Sequence, residues 1–248
     1  MVIPLDMTSS GGISDDPFSS GGTLPDDLPA SPWGIFQEWW DDAHTGSEGG
    51  PVQPNPNAVN IATLGDDGMP ANRVVLCKKM DLAAGWICFF TNYDGRKGRQ
   101  LDAHPKASAC FHWDALDRQI RIEGEITRSP AQESDDYFAT RALISRLGAW
   151  ASDQSEPVAS RDELLAHYAE VMEKFEVPLD AIMDRDAGVN VTIPRPEHWG
   201  GYRLWASRVE LWIGGQGRFH DRAVWTQELT KEGDGFTGGD WDSTRLQP

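Results

Sequence analysis

Hydrophobic and polar positions alternate with two different periods along this chain. Between residues 58 and 128 they fall into short runs separated by turn residues, at 58–64, 70–78, 86–91, 107–113 and 118–128. In the last run Ile120, Ile122 and Gly124 alternate with Gln119, Arg121 and Glu123, the period-two signature of a strand with one face inward. Asp66-Asp67-Gly68 between the first two runs is a hairpin signal. Three further strands are expected near 200–205, 208–213 and 222–229. The period changes to helical in three places. Ser31 and Pro32 open a helix with an apolar stripe of Ile35, Phe36, Trp39 and Trp40. Ser129-Pro130 with Gln132 reads as a capping box for a second. Ser160 with Glu163 opens a third, whose Leu164, Leu165, Tyr168, Val171, Met172 and Phe175 are expected to pack into the core. The pattern as a whole predicts a mainly β protein with helices (α+β), built on an antiparallel barrel or sandwich.

Composition narrows this. Residues 1–30, rich in Gly, Ser and Asp, read as a flexible acidic tail, and residues 31–248 as a single domain. Cys77, Cys88 and Cys110 are an odd set without close spacing, which points to buried thiols in a reducing cytoplasm and to no metal site. No apolar run approaches the length of a membrane span. The net charge of −17 argues against nucleic acid and against anionic membranes, both of which need a basic face. The bases are unevenly placed, with none before Arg73 and 12 of the 22 between residues 73 and 146. A basic segment inside an acidic chain implies a local seat for a small anion.

Three clusters carry the candidate chemistry. Asn92-Tyr93-Asp94-Gly95-Arg96-Lys97-Gly98 follows a strand and opens a helix, so free N–H groups, a guanidinium and an ammonium meet where a phosphate would sit. On the helix after Pro130, Tyr137, Arg141 and Ser145 are spaced i, i+4, i+8, which puts a phenol, a guanidinium and a hydroxyl on one face. In Gly217-Arg218-Phe219-His220-Asp221-Arg222, period two sends Arg218, His220 and Arg222 to one face, where an anion or an electron-rich ring would offset their charge. A solvated turn, an exposed polar stripe and an edge strand are the respective alternatives.

These runs, together with Arg73-Val-Val-Leu-Cys-Lys78, Phe89-Phe-Thr-Asn92, Arg118-Gln119, Gly148-Ala-Trp150, Gln154-Ser155 and Trp199-Gly-Gly201, resemble the pyridoxamine 5'-phosphate oxidase family in the same order, from about residue 31 to the end. The resemblance implies an FMN-binding split barrel, a homodimer with FMN at the subunit interface. It implies an FMN-dependent oxidase that converts pyridoxamine or pyridoxine 5'-phosphate to pyridoxal 5'-phosphate with O2, releasing H2O2. By matched position it assigns the cofactor to Arg73, Val74, Val75, Leu76, Cys77, Lys78, Phe90, Thr91, Arg96, Lys97, Gln119, Gln154, Ser155, Trp212 and Arg222. It assigns the substrate phosphate to Lys78, Tyr137, Arg141 and Ser145, and the pyridine ring and its chemistry to Arg218 and His220. Ala142, Arg146 and Phe219 stand where the family usually has Pro, Gln and Leu, and the segment 178–193 is longer than usual. The alternatives are a split-barrel flavin oxidase for another aromatic substrate, such as a phenazine precursor, and a non-catalytic FMN or pyridoxal phosphate binding protein.

Overall fold

The computed structural model describes residues 22–45, 51–183 and 191–248. Helix α1 (Trp33–His44) leads into five antiparallel strands: β1 (Ala58–Leu64), β2 (Pro70–Asp81), β3 (Trp86–Asn92), β4 (Lys106–Trp113) and β5 (Arg118–Arg128). Between β3 and β4 lies α2 (Arg96–Ala103). Four helices follow: α3 (Ala131–Thr140), α4 (Leu143–Ala151), α5 (Arg161–Lys174) and α6 (Asp180–Met183). The chain returns through β6 (Trp199–Ile213) and β7 (Asp221–Thr226), a hairpin of β8 (Leu229–Glu232) and β9 (Gly235–Gly238), and β10 (Asp242–Leu246). The large sheet runs β10-β7-β6-β3-β2-β1-β4-β5, and β5 closes on β6, so six antiparallel strands make a barrel with β7 and β10 beside it. The expected antiparallel split barrel with helices is the observed fold.

Alternation fills the barrel. Val59, Ile61, Ala109, Phe111, Ile120, Ile122, Val209 and Leu211 are all at most 1% exposed. Helix α1 packs against them with Phe36, Trp39 and Ala43, Phe36 meeting Phe111 edge-on at 5.8 Å. Truncating Phe36 would remove a fully buried ring, a loss of about 3–5 kcal/mol.

The structure redraws several expected elements. The runs 200–205 and 208–213 are one strand, β6, whose alternation is interrupted because Ser207 is an extra residue: Glu123 pairs with Arg208 and Gly124 with Ala206. Gly124 is required there, since a Cβ would lie 1.8 Å from the Trp205 carbonyl oxygen. The predicted single helix through Tyr137, Arg141 and Ser145 is broken: Arg141 (ψ 147°) and Ala142 (ψ 143°) are extended, and α4 starts afresh at Leu143. No capping box forms at Ser129. Its hydroxyl meets the Cys88 thiol at 3.3 Å, and Gln132 bonds to Asp136. At α5 the Ser160 hydroxyl does accept from Glu163 N–H (3.0 Å), but only part of the stripe is covered, with Leu164 and Leu165 at 40% and 53% exposure.

The tail expected over residues 1–30 does not extend through residues 22–30. Leu24 is buried in the main core, its N–H donates to Asp221 (2.7 Å), and Trp225 Nε1 donates to the Pro29 carbonyl (2.8 Å). Residues 1–21 and 184–190, the latter inside the expected longer segment, lie outside the described residues.

Candidate functional site

Eleven of the expected site residues converge on one cleft of about 390 Å3: Arg73, Val74, Val75, Leu76, Lys78, Phe90, Thr91, Lys97, Tyr137, Arg141 and Gln154, joined by Trp199. Strand β2 supplies the bed. It turns Val74 and Leu76 outward, 66% and 40% exposed, beside Arg73 and Lys78. Lys78 sits at a bulge, because Cys77 pairs with Phe89 and Lys79 with Cys88, leaving it without an opposite residue. Bulges of this kind re-aim a side chain. Cys77 itself points into the barrel core at 4% exposure, and burial pushes its thiol up to about 12, so its side chain is no part of the cleft.

The cations of the cleft have neutral partners. Arg73 donates to the Ile61 carbonyl (3.2 Å), Thr63 Oγ1 (2.6 Å) and Gln100 Oε1 (3.3 Å). Lys97 donates to Thr91 Oγ1 (2.8 Å) and to Gln154 Oε1. Burial first, and then the Arg73 charge, lower the Lys97 ammonium to about 8. Arg73 is lowered by burial and by Arg96. Gly95 caps the start of helix α2, and a Cβ there would stand 2.8 Å from Gln154 Oε1 and 3.2 Å from the Gln154 carbonyl oxygen, so glycine lets the 154 loop lie close against the helix start. Arg96 is exposed and Ser155, also exposed, holds a left-handed φ of 76°; neither lines the cleft.

At the other side of Phe90 the aromatic residues stack. Phe90 lies 4.1 Å from Tyr137 and 5.5 Å from Trp199, both near parallel. The Arg141 guanidinium sits over the Trp199 ring at 4.6 Å, its Nη1 is buried without a hydrogen-bond partner, and burial lowers its pKa. An orphaned buried guanidinium nitrogen is costly unless an acceptor arrives. The extended Arg141–Ala142 step, not a helix face, brings Arg141 beside Tyr137. Ser145, placed beyond the break, is not among the cleft-lining residues. Sequence reasoning gave no role to Trp199 beyond its motif, nor to Thr63 and Gln100, which orient Arg73.

The remaining expected residues form a second group. Gln119, Trp212 and Arg222 are lateral neighbours on β5, β6 and β7. His220 lies 4.7 Å from the Trp212 ring, and its Nδ1 accepts from Gly215 N–H (3.1 Å). In the neutral ring that leaves the proton on Nε2. The period-two reading of Arg218–Arg222 fails at its start, since β7 begins only at Asp221. Gly217 (φ 62°) and Arg218 (φ 68°) form a left-handed turn that carries Arg218 and Phe219 outward. A left-handed arginine costs roughly 1–2 kcal/mol. Trp199 and Trp212 are thirteen residues apart on one strand, about 43 Å of contour. The two groups therefore occupy opposite ends of β6.

Residues 52–175 match the family model described as pyridoxamine 5'-phosphate oxidase, and residues 199–248 match that of the pyridoxine 5'-phosphate oxidase C-terminal dimerisation region. The pyridoxine/pyridoxamine 5'-phosphate oxidase of Bordetella pertussis is 44% identical over 232 residues, covering 93% of this chain and 96% of that protein. That of Burkholderia lata is 43% identical, covering 90% and 91%. The chain belongs to the pyridoxine/pyridoxamine 5'-phosphate oxidase family. As a member it is an oxidoreductase. Among solved structures, PhzG from Burkholderia lata, in complex with tetrahydrophenazine-1-carboxylic acid, is similar with a TM-score of 0.72 and 27% identity, covering 92% of this chain and all of that one. A pyridoxamine 5'-phosphate oxidase-related, FMN-binding protein from Nostoc punctiforme shares the fold (TM-score 0.60, 17% identity, 88% and 98% covered). No described helix is long and apolar enough to cross a membrane.

Proposed function

We propose that this oxidase is FMN-dependent and converts pyridoxamine or pyridoxine 5'-phosphate to pyridoxal 5'-phosphate, with O2 as oxidant and H2O2 as product. One observation carries the reading: the cleft gathers Arg73, Lys78, Lys97 and Arg141 with no carboxylate among its lining residues. Four cations in a protein of net charge −17 call for anionic ligands. By their matched positions they divide into two seats, Arg73 with Lys97 for a cofactor phosphate and Arg141 with Lys78 for a substrate phosphate; of these pairs, Arg73 and Lys97 repel each other. The residues fit FMN: the outward face of Val74 and Leu76 offers an apolar bed for a flat ring, and a phosphate beside Lys97, whose pKa is depressed to about 8, would supply the counter-charge that this buried ammonium lacks.

FMN, when bound, supplies the two-electron acceptor for the C4' carbon–hydrogen bond and returns the electrons to O2. Lys78, Tyr137 and Arg141 hold the substrate phosphate. Arg218 and the Nε2 proton of His220 orient the pyridine ring and stabilise charge as that bond breaks. Because the two groups lie at opposite ends of β6, a homodimer related by a two-fold axis is the arrangement that brings Gln119, Trp212, Arg218, His220 and Arg222 of one protomer to the cleft of its partner. The match of residues 199–248 to a dimerisation region supports it.

The likeness to PhzG favours a second reading, oxidation of a phenazine precursor. The phosphate seat at Lys78, Tyr137 and Arg141 argues for the first. Turnover of pyridoxamine 5'-phosphate, pyridoxine 5'-phosphate and a reduced phenazine carboxylate, followed by peroxide release in the presence of FMN, separates the two. Oxidation of the phenazine substrate alone would overturn the proposal.

A further inference from the structure

We propose that Glu210 is a positioning residue that sets the Arg222 guanidinium for the cofactor; this rests on the assignment of Arg222 to the FMN site made above. Glu210 is an acid only 3% exposed, on a strand where Val209 and Leu211 fill the barrel core. Alternation puts it on the opposite face, shared with Trp212 and with Gln119 and Arg121 of β5. Its Oε1 accepts from both Arg222 Nε (3.1 Å) and Arg222 Nη2 (2.7 Å). Its Oε2 accepts from Arg121 Nη1 (3.3 Å) and lies 3.6 Å from Arg208 Nη2.

A guanidinium has five N–H donors in a fixed plane. Arg222 places two on Glu210 and a third, from Nη1, on the Gln247 carbonyl (3.0 Å). The two left over, one on each Nη, have their directions fixed by those three bonds. Glu210 thus decides where Arg222 aims its free donors. The network around it is asymmetric: Glu123 ties Arg121 (2.5 Å) and lies 3.8 Å from Arg208, whereas Arg222 has Glu210 as its sole carboxylate partner among the described residues. Replacing Glu210 by Gln puts an NH2 against either Arg121 or Arg222, since both carboxylate oxygens are in use as acceptors.

The test is FMN titration of flavin-stripped full-length protein, followed by quenching of flavin fluorescence, for wild type, Glu210→Gln, Arg222→Ala and the double variant, with thermal melting of each apoprotein. Glu210→Gln should weaken FMN about tenfold, Arg222→Ala at least as much, and the double variant no more than Arg222→Ala alone, because Glu210 acts through Arg222. Wild-type affinity in Glu210→Gln alongside a weakened Arg222→Ala overturns the positioning role and leaves the Arg222 assignment intact. Wild-type affinity in Arg222→Ala overturns the assignment itself. Additive losses show that Glu210 acts by another route, which also overturns the proposal. Should Glu210→Gln not fold, Glu210→Asp, which keeps the charge but draws the carboxylate back by one methylene, is expected to weaken FMN in the same way.

Discussion

Arginine and lysine gather at two places in this barrel, and their partners differ. Around the cleft, Arg73, Lys97 and Arg141 meet hydroxyls, amides, carbonyls and aromatic faces. On the β5–β6–β7 face, Arg121, Arg208 and Arg222 are matched by Glu123 and Glu210. The same side-chain chemistry serves two ends. Where cations are left without counter-charge, burial lowers their pKa, and under the proposed function that is the end that takes up anions. Where carboxylates neutralise them, their geometry is fixed and only the unused donors are available.

The sharpest way to separate the regions is to remove the groups assigned to chemistry rather than to phosphate. Arg218→Leu and His220→Leu should each slow flavin reduction by about 100-fold, the usual effect of losing one aligned donor at a reacting centre, while FMN stays bound. Stopped-flow reduction at the wild-type rate in both would reduce these residues to edge-strand packing. Arg141→Ala comes next. It should weaken pyridoxamine 5'-phosphate by about 10- to 150-fold, equal to roughly 1.5–3 kcal/mol for a charge-assisted bond, and leave FMN nearly unchanged. Equal losses for both ligands, measured by titration, would show that Arg141 belongs to the other phosphate.

What the sequence alone disclosed follows the same division. The strand at 118–128 was legible to the residue, since a half-buried antiparallel strand needs alternation and nothing competes with it there. The cation-rich cleft was legible as residue types. Its assembly was not. Helical spacing puts Arg141 on a face with Tyr137 and Ser145, but an extended step at Arg141–Ala142, with no Pro or Gly to announce it, is what delivers the guanidinium to Tyr137 and Trp199. Period two puts Arg218 and His220 on one face, and a left-handed pair at 217–218 interrupts it. Glu210 looked like one of many acids. Only its burial between two arginine-bearing strands distinguishes it. Backbone breaks and the partners of a charge depend on tertiary packing, and single-chain periodicity is blind to both.

The unmatched region should also show itself in pH. Lys97 has a folded pKa of about 8, below its ordinary 10.5, and a bound phosphate would raise it again. Between those limits binding takes up a proton, so FMN affinity should be constant from about pH 7, above the second phosphate ionisation at about pH 6, to about pH 8, and fall by up to about tenfold per unit above that. The same depression means that Lys97 disfavours the ligand-free fold at low pH, a penalty relieved as pH rises from about 8 to 10.5. Lys97→Met should flatten the binding profile. A wild-type profile without any decline up to pH 9.5 would show that Lys97 does not face the cofactor phosphate.

The smallest expected effect concerns the acidic N-terminus, where the comparison of matched and unmatched charge gives a definite sign. Residues 1–21 hold three aspartates, Asp6, Asp15 and Asp16, and no Lys or Arg, so they have no cationic side chain to add to an anion-binding cleft. Coulomb repulsion from a phosphate ester, weakened by water and salt, amounts to about 1 kcal/mol or less per close pair. Removing residues 1–21 should therefore leave the KM for pyridoxamine 5'-phosphate within about threefold. Removing residues 1–30 is a different experiment, because it also strips Leu24 from the core and takes away the carbonyls of Leu24 and Pro25 to which Arg245 donates. Burial of one leucine alone is worth roughly 1.5–3 kcal/mol, so the longer deletion should lower the melting temperature by several degrees while the shorter one leaves it unchanged. It also frees Asp221, next to His220, from the Leu24 N–H. A tenfold rise in KM on losing residues 1–21 alone would show that this segment contacts the substrate through something other than charge.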